Sequence, residues 1–379
     1  MIYLDHAATT PMSASALATY TTAAKNYYGN SNSLHDYGTT ADQIVTASRK
    51  QISTIINGDS NGVYFTGNGS EANRLAVLSL LGAHKQKGNH LITSEIEHPS
   101  LLNTFSLLEQ QGYNVTYMPV DRHGKINVSE LAKAIRSTTV LVSIQHANSE
   151  IGTIQSIYEI GQLLKDKGIL FHSDCVQTFG KIPLNVKEAR LDSISISAHK
   201  IYGPKGIGAV YIDPAVSWKA QVPNTTHEKG FRPGTLDVPT IAAFAQAAKE
   251  TDDERPEECN RLSRLKTYFL EHIDSDKIKL EGHPIDRLPH HLGLRIKGME
   301  GQLVMLECNR YGIAISTGSA CKVGQHAPSK ALLAVGCSVQ EANEFIRLTF
   351  GRDTTKADID QTLTCLEKII KDYKSKTPV

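Results

Sequence analysis

The chain has 379 residues, with 40 Lys plus Arg against 39 Asp plus Glu and 40% hydrophobic residues. That length allows one large or two ordinary domains around a sizeable core, and a net charge of +1 gives no electrostatic reason to expect nucleic acid or an anionic membrane surface. No apolar run approaches the roughly 20 residues that span a bilayer, the opening MIYLDHAATTP lacks the basic and apolar regions of a signal peptide, and the scattered cysteines form no C-x-x-C pair. A cytoplasmic protein with reduced thiols, no membrane partner and no zinc site is expected.

In chain order, a short extended opening leads to a helix over 16–27, capped near Ser13, a polar loop at 29–33 and a helix over 39–56. From Gly62 strands and helices alternate. Strands are predicted at 63–66, 90–93, 115–119, 140–145, 169–172, 193–197 and 208–212, with helices at 70–84, 100–111, 128–135 and 157–167. This pattern predicts an α/β fold whose mostly parallel sheet is covered by helices on both faces. After about residue 239 the texture changes to a long or broken helical stretch over 241–273, short strands at 279–281 and 293–296, and a helix over 301–311. A Gly/Ser/Thr loop with Cys321 follows, then short helices at 329–335 and 340–344, a strand at 345–350 and a last helix over 356–373. The expected division is a large domain over 15–250 and a smaller α+β domain built from 1–14 and 251–379.

Chemistry gathers where strands end. LDSISISAHKIYGPKGIG, residues 191–208, reads as a strand running into a tight turn, with Ser197, His199 and Lys200 at its end. A lysine held there is placed to form a Schiff base with an aldehyde cofactor, although a lysine beside a loop is commonly just solvated. Gly67-Asn68-Gly69-Ser70 joins a strand to a helix, an arrangement whose backbone N–H groups bind anions. The same residues fit G-x-G-x-x-A through Ala72, with acidic Glu95 after the next strand, so a dinucleotide, a single phosphate such as that of pyridoxal 5′-phosphate (PLP), and a plain turn are all open. His98 follows a strand and is suited to stack on a planar cofactor and move protons, or simply to cap a helix. Asp174 follows another strand and is suited to pair with a protonated ring nitrogen, or to cap the turn after it; Gln177 is placed to reach a phenolate oxygen. Ser70, His98, Asn148, Asp174, Ser197 and Lys200 thus share one kind of position. A dehydrogenase needs no lysine there, whereas PLP needs a lysine, a carboxylate, a phosphate cradle and a stacking ring.

The loop Ser316-Thr317-Gly318-Ser319-Ala320-Cys321 continues into Lys322 and His326, small residues and nearby cations that suit a reactive thiol. Cys308, Cys337 and Cys365 stand in apolar or helical surroundings and read as packing residues, while Cys175, beside Asp174, is ambiguous. Arg347 interrupts an apolar strand and needs an anion, either a substrate carboxylate or an internal ion pair.

The segments YLDHAATTP, GNSNSLHDYG, FTGNGSEAN, EHPS, HANSEIG, DCVQTFGK, SAHKIYGPKGIG, FRPGT, STGSAC and IRLTFGRDTT, found nearly end to end, carry a family likeness. Through them the chain resembles the cysteine desulfurases of the NifS/IscS type, in the fold-type I, class V aminotransferase group, and STGSAC is similar to the long-loop members. The resemblance implies that Lys200 holds PLP, His98 stacks on its ring and shuttles protons, Asp174 pairs with the ring nitrogen and Gln177 contacts the phenolate oxygen. It implies that Gly69, Ser70, Ser197 and His199 bind the phosphate, and that Thr235 reaches the cofactor of a partner subunit in a homodimer. The family has Asn directly before the Glu of its NEIG segment; here the order is Asn148-Ser149-Glu150, so Asn148 or Ser149 takes that contact to the ring oxygen. Arg347 is implied to hold the substrate carboxylate, and Cys321, on a mobile loop, to be the nucleophile. The implied reaction converts L-cysteine to L-alanine and leaves the sulfur as a Cys321 persulfide for a protein acceptor serving iron–sulfur, tRNA or other sulfur-containing cofactor synthesis. No metal is implied beyond a transient iron–sulfur cluster held through Cys321. A selenocysteine lyase or another class V PLP enzyme is the alternative.

Overall fold

The structure, a computed structural model, describes residues 1–317 and 328–376; the expected nucleophile Cys321 lies outside the described residues. The chain opens with β1 (Ile2–Tyr3), α1 (Ala14–Asn26) and α2 (Asp36–Ile55). The Ser13 side chain accepts from the Ala16 amide at the start of α1, as the sequence predicts, and His35 caps α2 in the same way.

Strand and helix then alternate: β2 (Val63–Thr66), α3 (Gly69–His84), β3 (His90–Ser94), α4 (Pro99–Gln110), β4 (Asn114–Met118) and α5 (Val128–Ala134). They continue as β5 (Thr139–Ser143), α6 (Ile157–Asp166), β6 (Leu170–Asp174), β7 (Ser193–Ser197) and β8 (Gly208–Ile212). Among the described residues these strands form one sheet in the order β2-β8-β7-β6-β5-β3-β4. It is parallel except for β8, which runs antiparallel to both neighbours. Successive strand residues face opposite sides, so Val142 joins the core with Phe65, Phe171 and Phe244 while Leu141 joins the other with Leu80, Leu91 and Phe105. The double cover buries every residue of β3, β5, β6 and β7.

α7 (Val238–Glu271) runs unbroken through Pro256, where the sequence left a break open. An interior proline costs about 3 kcal/mol of helix stability. The helix tolerates it because both halves are anchored, Phe244 and Ala248 in the first core and Leu262 and Phe269 in a separate one. That second core is built from β9 (Ile278–Glu281), β10 (His291–Ile296), α8 (Gly301–Arg310), β11 (Ile313–Ala314), β12 (Phe345–Thr349) and α11 (Lys356–Lys376), while α9 (Lys330–Ala334) and α10 (Val339–Asn343) pack with Ile151 and Phe345 in a smaller cluster. Its sheet has the antiparallel order β12-β10-β9.

β1 pairs in parallel with β11, and Leu4 packs with Leu292, Ile346 and Ile359. From there the segment runs back to the large sheet, where the Thr10 amide donates to the His199 carbonyl at 2.9 Å. Residues 5–10 therefore pass from the second core to the end of β7. Among the described residues no helix is long and apolar enough to cross a membrane.

Candidate active site

A cavity of about 560 Å³ opens at the C-terminal ends of β3, β6 and β7 and is closed from the other side by Ser149, Ser329 and Arg347. Ligands of open α/β sheets bind at such strand ends. The cavity brings together Gly69, Ser70, His98, Ser149, Asp174, Gln177, Ser197, His199, Lys200 and Arg347.

Lys200 ends a single helical turn, Ala198–Lys200, directly after β7. The turn that follows is tight. Tyr202 takes φ of 64°, in the left-handed region, and a Cβ on Gly203 would lie 2.9 Å from the Ala198 Cβ. A non-glycine residue held there costs about 1–3 kcal/mol. Arg352 holds it in place: its guanidinium lies 4.2 Å over the Tyr202 ring and its amide donates to the Tyr202 hydroxyl at 2.9 Å. The Lys200 ammonium donates to the carbonyls of Ala7 at 2.6 Å and Ala8 at 2.8 Å, so the N-terminal segment fixes its position.

Asp174 is the last residue of β6 and not part of the loop after it, so its side chain is aimed by the sheet. Its Oδ1 accepts from the Val176 amide at 2.9 Å, the capping role open to it, and its Oδ2 accepts from Asn73 Nδ2 at 2.7 Å. His98 is the N-cap of α4, with Nδ1 accepting from the Ser100 amide at 3.2 Å. Capping and cavity roles thus coexist at both residues. Burial and the Lys200 charge push the His98 pKa below its ordinary value against the pull of Asp174, favouring a neutral ring. Glu97, beside it, is raised to about 8 by burial, although Ser94 and Gln145 donate to its carboxylate.

The residues present fit PLP. Ser197 Oγ and Gln177 Oε1 are buried and have no hydrogen-bond partner among the described residues, a situation that calls for an occupant with polar groups of its own. Ser197 stands beside Gly69 and Ser70 at the start of α3, where unpaired backbone N–H groups favour a phosphate. His199, whose Nδ1 lies 3.1 Å from Thr9 Oγ1, is held near pKa 4 by burial and by Lys200, and a phosphate would restore its charge. The dinucleotide alternative does not fit. The Glu71 carboxylate bonds the Gly67 amide and pairs with Arg232 at 3.0 Å, filling the anion position of that motif with a side chain of the protein.

Three expected residues stand apart. Asn148 does not line the cavity: its Nδ2 donates to the Ile96 carbonyl at 2.9 Å and its Oδ1 accepts from the amides of Glu150 and Ile151 at 2.8 and 2.9 Å. Its amide shapes the turn that presents Ser149. Thr235 is exposed and outside the cavity, and Cys321 lies outside the described residues. None of the five described cysteines lines the cavity. Cys308 and Cys365 pack in the second core as expected; Cys175 packs in the first, its thiol pushed up to about 12 by burial.

Sequence reasoning missed the Ala7 and Ala8 carbonyls, which have no side-chain signature, the buried residues Asn73 and Glu97, and the half-buried Ser100. It also missed Lys181, whose ammonium is shut off from solvent and has no hydrogen-bond partner among the described residues. Burial, Lys200 and Arg347 together lower the Lys181 pKa to about 7.

The sequence profile of the family described as Aminotransferase class-V matches residues 2–362. A Halalkalibacterium halodurans protein called putative cysteine desulfurase NifS is 46% identical over 370 residues, covering 98% of this chain and 98% of that protein. The solved structure described as "NIFS-LIKE PROTEIN" superposes with a TM-score of 0.92 at 28% identity, covering 98% of this chain and 99% of that one. Another, "SspA in complex with cysteine", superposes with a TM-score of 0.82 at 30% identity, covering 92% of this chain and 99% of that one.

Proposed function

The chain belongs to the aminotransferase class-V family, and within it we infer a PLP-dependent cysteine desulfurase that converts L-cysteine to L-alanine. The observation that carries this is the convergence of Lys200, Asp174, His98 and Arg347 on one cavity. Bound PLP condenses with a primary amine and withdraws electrons from the carbons beside that nitrogen.

Each residue then has a task. Gly69, Ser70, Ser197 and His199 hold the phosphate. Asp174 keeps a proton on the ring nitrogen, His98 lies against the ring, and Gln177 and Ser149 face its oxygen. Arg347 fixes the substrate carboxylate. Lys200 first anchors the cofactor and then takes and returns the proton at the substrate Cα. The Cys321 thiolate, assigned from the sequence, attacks the substrate sulfur. An S–S bond forms as the C–S bond breaks, the electron pair goes to the carbon, and a proton completes alanine. The sulfur is left as a persulfide for a protein acceptor.

We assign Thr235 to the cofactor of a second copy of this chain. Its exposure supports a homodimer, as do the exposed apolar side chains of Tyr28, Leu34 and Tyr37. The division into parts 15–250 and 1–14 with 251–379 is supported by the two separate cores spanned by α7. A reducing cytoplasm suits an enzyme whose product is a persulfide.

The test is the stoichiometry of the purified protein with L-cysteine. Equal amounts of alanine and reductant-releasable sulfide, from a protein whose visible absorbance borohydride removes, are expected. Sulfide without alanine would refute the assignment.

A further inference from the structure

We propose that Asn73 is a positioning residue that ties Asp174 and His98, the two groups facing the cofactor ring, into one hydrogen-bonded unit. The inference rests on the PLP reading above. Asn73 lies in the second turn of α3 and borders the cavity. Its Nδ2 is 2.7 Å from Asp174 Oδ2 and 3.0 Å from Ser100 Oγ, and its Oδ1 is 3.3 Å from His172 Nε2. Ser100 Oγ is 2.8 Å from His98 Nδ1, and His172 Nδ1 is 3.1 Å from Ser193 Oγ. The side chains come from α3, α4, β6 and β7, so the unit spans four elements.

One assignment of protons satisfies every contact. His98 Nδ1 accepts from the Ser100 amide, so the neutral ring carries its proton on Nε2. The Ser100 hydroxyl therefore donates to Nδ1 and must itself accept from Asn73. The two amide hydrogens of Asn73 go to Ser100 Oγ and Asp174 Oδ2. Asn73 Oδ1 is then an acceptor, and His172 Nε2–H is its donor. His172 Nδ1 accepts from Ser193. Burial keeps the His172 pKa near 3, so this donor is not disturbed by titration. The flipped amide would turn its carbonyl oxygen toward the Asp174 carboxylate, two acceptors face to face, and is excluded.

The consequence reaches both faces of the ring site. Asp174 receives the Val176 amide on one oxygen and Asn73 on the other, which fixes the plane of its carboxylate. His98 is locked with Nε2–H as its free edge. Glu97, Cys175 and Lys200 are the other titratable groups acting on this pair, and they come from different segments.

The holoenzyme tests this by two readouts. Asn73→Leu keeps the bulk and removes the amide. A less neutralised Asp174 should move the midpoint of the pH-dependent change in the visible cofactor band upward by about half a unit or more, and kcat should fall as well. Asn73→Ser, which keeps one donor, should give a smaller shift and serves if the leucine variant folds poorly. Ser100→Ala cuts only the His98 arm: the midpoint should stay, while kcat falls about tenfold with the KM for cysteine unchanged. An unmoved midpoint in the Asn73 variants, or an equal shift in Ser100→Ala, overturns the inference. A wild-type protein with no borohydride-sensitive band overturns the desulfurase reading itself.

Discussion

Arg347 Nη2 donates to Asp5 Oδ1 at 2.7 Å, joining β12 to the N-terminal segment across 342 residues of sequence. The guanidinium is nearly buried, with 4% of its side chain exposed against 19% for Asp5, and Nη1 donates to the Ser149 carbonyl at 3.0 Å. Its Nε is buried without a hydrogen-bond partner among the described residues. The internal ion pair and the substrate-carboxylate role, alternatives in the sequence, are therefore compatible: Asp5 and Ser149 orient the fork, and Arg347 still borders the cavity.

Removing that fork should act on binding. Arg347→Ala is expected to raise the KM for cysteine roughly 10- to 100-fold, the range for losing a charge-assisted hydrogen bond of about 1.5–3 kcal/mol. The cofactor should stay bound. Arg347→Lys should rescue little, because a point charge does not reproduce the fork. Steady-state kinetics with a cofactor titration separates these effects, and an unchanged KM would rule out the carboxylate role.

Lys200→Ala should abolish turnover and the borohydride-sensitive visible band while leaving the fold intact. In the cofactor-free protein the Ala7 and Ala8 carbonyls would lose their donor, and each unsatisfied buried polar group costs about 1–3 kcal/mol. A lowered Tm with native far-UV circular dichroism is the expected signature. Full turnover in this variant would remove Lys200 from the mechanism.

Cys321→Ser should separate the two halves of the chemistry. The variant should keep the cofactor and still perturb its spectrum on adding cysteine, yet form no persulfide detectable by mass spectrometry and release no sulfide. Normal sulfide release would place the nucleophile elsewhere in the chain.

Lys181 makes stability depend on pH in a direction fixed by its burial. Its folded pKa of about 7 lies below the ordinary 10.5. Above pH 7 the folded lysine is neutral, while the unfolded one keeps its proton up to about pH 10.5. The unfolded state binds more protons in that window, so this group makes stability rise with pH across it, by up to about 1.4 kcal/mol per pH unit. Below pH 7 both states are protonated and the full cost of a buried ammonium is present. Lys181→Met should therefore stabilise the protein most at pH 6.5 and progressively less toward pH 9.5, measured by urea unfolding relative to the wild type. A difference that does not vary with pH would show that the ammonium is solvated.

The sequence by itself determined the alternating α/β order and the kinds of group that make the site. Buried parallel strands need unbroken runs such as Thr139–Ser143, and functional side chains must follow such strands to reach a ligand. His98, Asp174 and Lys200 were legible for that reason, although β6 extends to Asp174 where the prediction stopped at 172. Tertiary structure alone decided how those groups are held. The Ala7 and Ala8 carbonyls on Lys200, the Asn73 amide between Asp174 and Ser100, and Asp5 on Arg347 join residues far apart in the chain. Local pattern cannot report them, since every residue has a carbonyl and a buried asparagine carries no mark of its partner. The same holds at Gly67-x-Gly69, where the residues permit a dinucleotide and only the position of the Glu71 carboxylate excludes it. Lys200 was thus visible as a lysine at a strand end; the N-terminal segment folded back over it is what sets its ammonium in place.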